Sequence, residues 1–247
     1  MTIKQIIVGA MLSTLIFVPQ TMSAQKQFTL EDLNFGGNNF HNMVPKNRYA
    51  TWWGDQLVRT DAEFCALVDK KTGKETRLFS TDELNKWIYP NGENKVRSLY
   101  SAAFPYPNQT LVLLNVNQTR MLVNWKTKKV DWKQEAKDEI AADWNAQSRA
   151  VAFVKDDNLY VNDGKGVLKQ LSTDGSRNIV YGQSVHRDEF GIYKGTFWSN
   201  DGQKLAFYRM DQSMVADYPL VDVDTRIATE TPVRYPMAGE KSHLVTV

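Results

Sequence analysis

This chain of 247 residues has one cysteine, three histidines and no sustained helical periodicity. With Cys65 alone, no disulfide can close within the chain. A catalytic thiol would need a histidine and an orienting partner that the neighbouring sequence does not supply. A small buried apolar side chain is the role expected of it. His41, His186 and His243 share no metal-ligand spacing, so no metal or other cofactor is expected and His186 reads as a structural histidine. Charge of one sign is lacking as well. The 30 basic and 28 acidic residues leave a net charge of +2, too weak a field to attract nucleic acid. The longest apolar run, residues 6–18, falls short of the roughly 20 residues that a membrane-spanning helix needs.

That run follows Lys4 and leads into the small residues Thr21-Met-Ser-Ala24, the layout of a secretory leader over residues 1–24. An exported protein is therefore expected, periplasmic, at the cell surface or secreted. The unpaired cysteine fits a bacterial-type envelope better than a disulfide-stapled secreted domain.

From Gln25 onward, short apolar runs alternate with polar turns. The 42% hydrophobic content can fill a sizeable core, and 7 Trp with 10 Tyr suit sheets better than helices. Two short helices are expected, one opening at Thr29 and one at Ser80, where Ser80 and Glu83 have capping-box spacing ahead of Leu84 and Trp87. Residues 64–68 and 75–79 read as strand, turn and strand. Residues 111–116 and 121–125 read as a hairpin about Asn117-Gln-Thr-Arg120.

An internal repeat sets the architecture. Segments 144–153 (WNAQSRAVAF) and 198–207 (WSNDGQKLAF) align without a gap. Each places an aromatic at a strand end, then a polar turn, then an alternating strand closing in Ala-Phe. Asp201-Gly202 supplies turn residues that tolerate positive φ. With residues 158–161 and 167–171 between the copies, one unit holds about four strands, the size of a propeller blade. The fold class is all-β, a partial β-propeller, with a β-sandwich as the alternative. The spacing exceeds a blade's needs, and the surplus falls between Asp174 and Lys194, where chemistry is expected because insertions on a propeller rim carry function.

Residues 180–192 (VYGQSVHRDEFGI), followed by 194–199 (KGTFWS) and 205–215 (LAFYRMDQSMV), are similar to the dipeptidyl peptidase IV family of serine exopeptidases. The bacterial prolyl tripeptidyl aminopeptidases are the branch most resembled. The likeness continues through 235–239 (YPMAG) and 243–247 (HLVTV), and more weakly at 28–31 (FTLE). The resemblance implies that residues 25–247 are the N-terminal part of an eight-bladed propeller, about four blades at the observed period, which gates and anchors peptides carrying proline near a free N-terminus. It implies that an acidic motif on a propeller excursion binds the substrate's α-amino group. Glu189 is the closer match and Asp188 stands beside it. Charge-assisted hydrogen bonds to an ammonium are worth roughly 1.5–3 kcal/mol each.

The implied partners are such peptides, an α/β-hydrolase domain of the same full-length protein, and a second copy in a homodimer. The family's nucleophile lies in a G-x-S-x-G elbow, which this sequence lacks; the nearest approach, Gly182-Gln-Ser184, has no following glycine in place. No catalytic residue is therefore expected in the chain itself, which reads as a fragment. Arg209 and Asp211 are expected to pair beneath the excursion. A stand-alone envelope binding or scaffolding propeller is the alternative, and a downstream G-x-S-x-G with Asp and His would decide against it. A propeller glycosidase needs two separated carboxylates, whereas Asp188 and Glu189 are adjacent. The chain alone should turn over no prolyl chromogenic peptide; turnover accompanied by covalent labelling with a fluorophosphonate would overturn this reading.

Overall fold

The computed structural model describes residues 27–37, 39–40, 49–92, 95–186 and 189–247. The expected leader (1–24), His41 and Asp188 lie outside the described residues. The chain divides into two compact units, 1–47 and 48–247. In the first, the expected one-turn helix α1 (Leu30–Leu33) starts at Thr29. The Thr29 hydroxyl accepts from the Asp32 amide while the Asp32 carboxylate accepts from the Thr29 amide, a capping box.

In the second unit, β1 (Tyr49–Trp53), β2 (Gln56–Thr60), β3 (Phe64–Val68) and β4 (Glu75–Ser80) form an antiparallel sheet in chain order. Helix α2 (Thr81–Ile88) follows, with the Ser80–Glu83 capping box in place. Its buried Asn85 exchanges two hydrogen bonds with the Val96 main chain, which ties the next segment down. A second sheet holds β5 (Leu111–Val116), β6 (Thr119–Asn124) and β7 (Lys129–Glu135), with Ala103 bridged to Leu113 on the β5 edge. The β5–β6 turn is tighter than the sequence suggested. Only Asn117 and Gln118 lie outside the strands, at φ 48° and 57°, the two-residue geometry whose twist matches the flanking strands. A third sheet, again antiparallel in chain order, holds β8 (Ile140–Trp144), β9 (Val151–Lys155), β10 (Asn158–Asn162) and β11 (Leu168–Gln170).

The rest of the unit is built from β12 (Ile179–Tyr181), β13 (Thr196–Trp198), β14 (Leu205–Phe207), β15 (Arg209–Asp211), β16 (Asp217–Asp222), β17 (Thr229–Arg234) and β18 (Leu244–Thr246). These successive small antiparallel sheets are the blades of a partial propeller. The hairpin β16–β17 is largely exposed and is fixed at its base by Arg177 and Arg234, which both reach the Asp217 carboxylate.

The repeat occupies equivalent places. Trp144 ends β8 and pairs with Val151; Trp198 ends β13 and pairs with Leu205. The turns close on equivalent bonds, Asn145 N to Ala150 O and Ser199 N to Lys204 O. Trp53 ends β1 in the same way, a third copy hidden by its shorter turn. Apolar side chains fill the seams. Between the first two sheets, Trp53, Val58, Cys65 and Phe79 meet Phe104, Val112, Val123 and Trp125. Between β9–β10 and the last sheets, Val154 and Leu159 meet Tyr181, with Leu205 and Phe207 alongside.

Cys65 is fully buried in the first seam. Burial, with the Asp61 carboxylate adding to it, pushes its thiol up to about 12. The unfolded chain holds a thiol near about 8.5, so the unfolded state sheds this proton first as pH rises. The stability contribution is full below about pH 8.5 and is lost as pH rises from there toward the folded value of about 12. Urea titrations across pH 8–10 should show falling stability in the native chain and a shallower fall in Cys65→Ala. The thiol should react with an aromatic disulfide reagent at pH 8 only after denaturant is added.

Candidate functional site

β14 and β15 are halves of one bent strand with Tyr208 at the joint. β13 pairs with its first half, Thr196 opposite Phe207, and β12 pairs with its second, Tyr181 opposite Arg209. At the joint, Tyr208 N donates to Gly195 O at 2.8 Å and Gly182 N donates to Tyr208 O at 2.9 Å. The partner of the bent strand is therefore one strand interrupted by residues 183–194. The surplus expected over 174–194 is narrower than the sequence suggested, because Ile179–Tyr181 returns to the sheet.

Two glycines make this neck possible. A Cβ on Gly195 would lie 2.1 Å from Gln183 O, so the two stems touch backbone to backbone. Gly182 has φ +61°, and a Cβ there would meet Leu159 Cδ1 at 2.8 Å. Within the excursion, Ser184 Oγ donates to Ile192 O at 2.8 Å, Glu189 N donates to His186 O, and Ile192 N donates to Glu189 O. A single 3₁₀ turn, Glu189–Gly191, carries the acid. Phe190 adopts φ +58° there, a backbone conformation costly for a bulky residue. Phe190 is 86% and Tyr193 70% exposed, and Glu189 is exposed between the turn's two ends. An exposed carboxylate on a loop closed at its neck can accept hydrogen bonds from an ammonium.

Carboxylates flank both stems. On the entry side, Tyr181 Oη donates to Asp174 Oδ1 at 2.7 Å, and Arg209 donates to Tyr181 Oη at 3.1 Å and to Asp174 at 3.4 Å. The Tyr181 hydroxyl, with Arg209 behind it, holds the Asp174 carboxyl below the usual carboxylate range. Burial, reinforced by the bond to Asp174, raises the Tyr181 phenol. The expected Arg209–Asp211 pair forms no direct bond among the described residues: Arg209 reaches across to Tyr181 and Asp174 instead. The Asp211 carboxylate accepts from Ser213 N at 2.9 Å, which holds it below the usual carboxylate range, with the Arg209 charge as a lesser influence in the same direction. On the exit side, Asp143 from β8 accepts from Lys194 Nζ at 3.1 Å and from Thr196 Oγ1 at 3.0 Å, and its carbonyl accepts from the Trp198 indole at 2.9 Å.

Of the residues named from sequence, Glu189 stands on the excursion and Asp188 lies outside the described residues. His186 is exposed and shapes the turn through its main chain. Among the described residues, no cluster of His, Cys, Asp and Glu could hold a metal ion. Sequence reasoning missed Asp143. The signal available was an acid in a strand, just before the repeat's Trp, where the second copy has Phe197.

Residues 108–247 match the family model described as "Dipeptidyl peptidase IV (DPP IV) N-terminal region". The solved structure described as a "putative dipeptidyl aminopeptidase IV" from Bacteroides ovatus is 38% identical with a TM-score of 0.71, over 90% of this chain and 30% of that one. The structure of Porphyromonas gingivalis dipeptidyl peptidase 4 shares the fold at 18% identity and a TM-score of 0.59, over 90% of this chain and 33% of that one. Among curated proteins, "Probable dipeptidyl-aminopeptidase B" of Talaromyces marneffei is 33% identical over 122 residues, 43% of this chain and 14% of that protein's length. The chain thus spans a third or less of each of these relatives.

Because the Gly195 stem meets backbone rather than a movable side chain, Gly195→Ala should cost about 1–3 kcal/mol, read as a lower urea midpoint. Amides of residues 183–186 should exchange faster in that variant, while β9 and β10 keep their protection.

Proposed function

From the premise that this chain belongs to the family of the dipeptidyl peptidase IV N-terminal region, we propose that it is the substrate-gating propeller part of a prolyl-specific serine exopeptidase. Glu189 captures the peptide's free α-amino group, with Asp188 as the secondary contact. The observation that carries this reading is the neck. A carboxylate mounted on a loop whose stems touch at Gly195 and Gln183 keeps a set distance from the blade body, and a set distance is what counting residues from an N-terminus requires. Binding energy placed on a remote ammonium then serves to align the scissile bond.

The chemistry would belong to an α/β-hydrolase domain of the same full-length protein, and peptides with proline near a free N-terminus are the substrates. The named relatives are dipeptidyl enzymes, and release of two residues is the reading they favour; release of three is the alternative that the shorter Asp188 side chain allows. Export to the envelope and pairing with a second copy belong to the same reading.

The test is kinetic, in the full-length peptidase. Glu189→Gln keeps the shape and removes the charge. Since Glu189 is exposed, the expected loss in kcat/KM on free peptides is about 10- to 100-fold, with a smaller loss for Asp188→Asn. N-acetylated peptides should be poor with the unaltered enzyme and lose little more. An equal loss on free and acetylated peptides would assign Glu189 to the fold, and mass analysis of the products separates dipeptide from tripeptide release.

A further inference from the structure

We propose that Asp143, on the preceding blade, is the positioning residue that sets the excursion carrying Glu189. It does so through its ion pair with Lys194 and the hydrogen bond it accepts from Thr196. The proposal rests on the reading of Glu189 given above.

Three features of the structure converge on this carboxylate. It takes both its partners from the exit stem: Lys194 is the last residue of the excursion, and Thr196, which is fully buried, begins β13. Its own carbonyl holds the indole of Trp198, the residue that ends β13. The side chain is 16% exposed, so these bonds are only partly screened. The third feature is local to β8. Its register against β9 shifts between Ile140 and Asp143, and Ala141 sits at φ +50°. A bulge re-aims the side chains beside it, and a non-glycine residue in the left-handed region is held there by its surroundings. The repeat's second copy has no register shift in β13 and carries Phe197 at the matching place. The bulge and the acid thus occur together in β8, whose Asp143 meets the excursion's exit stem. The entry stem is held differently, by the bond from Gly182 N to Tyr208 O and by Tyr181, whose hydroxyl binds Asp174 with Arg209 beside it.

The first measurement is hydrogen exchange on the chain. Asp143→Asn and Lys194→Met should each speed exchange of the Glu189 and Ile192 amides about two- to fivefold, the size expected of a half-exposed ion pair, while β9 and β10 are unmoved. The double variant should be no faster than the quicker single variant, since both remove one interaction, and Lys194→Arg should keep the native rate. The second measurement, in the full-length peptidase, is the ratio of kcat/KM on free and N-acetylated peptides. Asp143→Asn and Lys194→Met should lower that ratio by about the same two- to fivefold, with Glu189→Gln as the control.

Unchanged exchange in the excursion overturns the proposal whatever Glu189 does. Faster exchange with an unchanged ratio, while Glu189→Gln collapses it, overturns the role of Asp143 and leaves amine capture standing. A ratio that survives Glu189→Gln removes amine capture, and the proposal with it. Should Asp143→Asn fail to fold, Lys194→Met, at an exposed position, carries both measurements.

Discussion

Three seams between neighbouring blades are fastened by aromatic side chains whose polar hydrogens find main-chain carbonyls on the adjacent blade, whereas the buried Trp144 indole N–H finds no partner among the described residues. Trp53 donates to Tyr106 O across the first seam. Tyr106 Oη reaches Ala146 O, and Trp132 reaches Gly164 O, across the second. Trp198 reaches Asp143 O across the third. Twisted sheets packed side by side leave a wedge between them, and flat aromatic rings fill a wedge well. Their N–H and O–H groups must still be satisfied when buried. A carbonyl on the next blade, in a strand or in one of its turns, meets both needs, and it also sets the position of one blade against the next.

The candidate site inherits its geometry from the last of these seams. Trp198 and Asp143 are joined there, and the same aspartate reaches the exit stem of the excursion through Lys194 and Thr196. The excursion leaves the middle of a strand instead of linking two blades. Both stems bond to Tyr208, so ladder bonds continue on either side of the interruption. A loop inserted this way has little freedom at its base, which suits a carboxylate whose task depends on distance. The strained Phe190 and the exposed Tyr193 sit beyond the neck, where backbone cost is tolerated because the base is over-determined.

Much of the fold was legible because local chemistry and tertiary packing agree. The capping boxes at Thr29 and Ser80 are satisfied within a few residues of each helix start, so their spacing alone locates them. The repeat 144–153 and 198–207 marks equivalent hairpins because both copies place Trp at a strand end and close the turn on equivalent bonds, although the first copy's strand is buried and the second's only partly. The excursion's outline was less legible. Residues 179–181 and 195–198 form one interrupted strand only because the bent strand 205–211 lies beside them, and no local pattern announces that partner. The direct partners of Arg209 were hidden for the same reason: Asp211 is near in sequence, but Tyr181 faces Arg209 across the ladder and brings Asp174 with it.

By itself, the sequence determined the all-β class, the blade-sized unit, both helix starts and the segment that carries the family likeness, including Glu189. These depend on periodicity, turn chemistry and capping, which act over a few residues. Tertiary structure alone decided that the stems close on Gly195 and Gln183, that Asp143 serves the neighbouring blade, and that Trp53 is a further copy of the repeat's aromatic. The Asp143 contacts join residues 53 and 55 positions apart. Their cause is the stacking of one twisted sheet on the next, and short-range pattern carries no record of which backbones will meet across that seam.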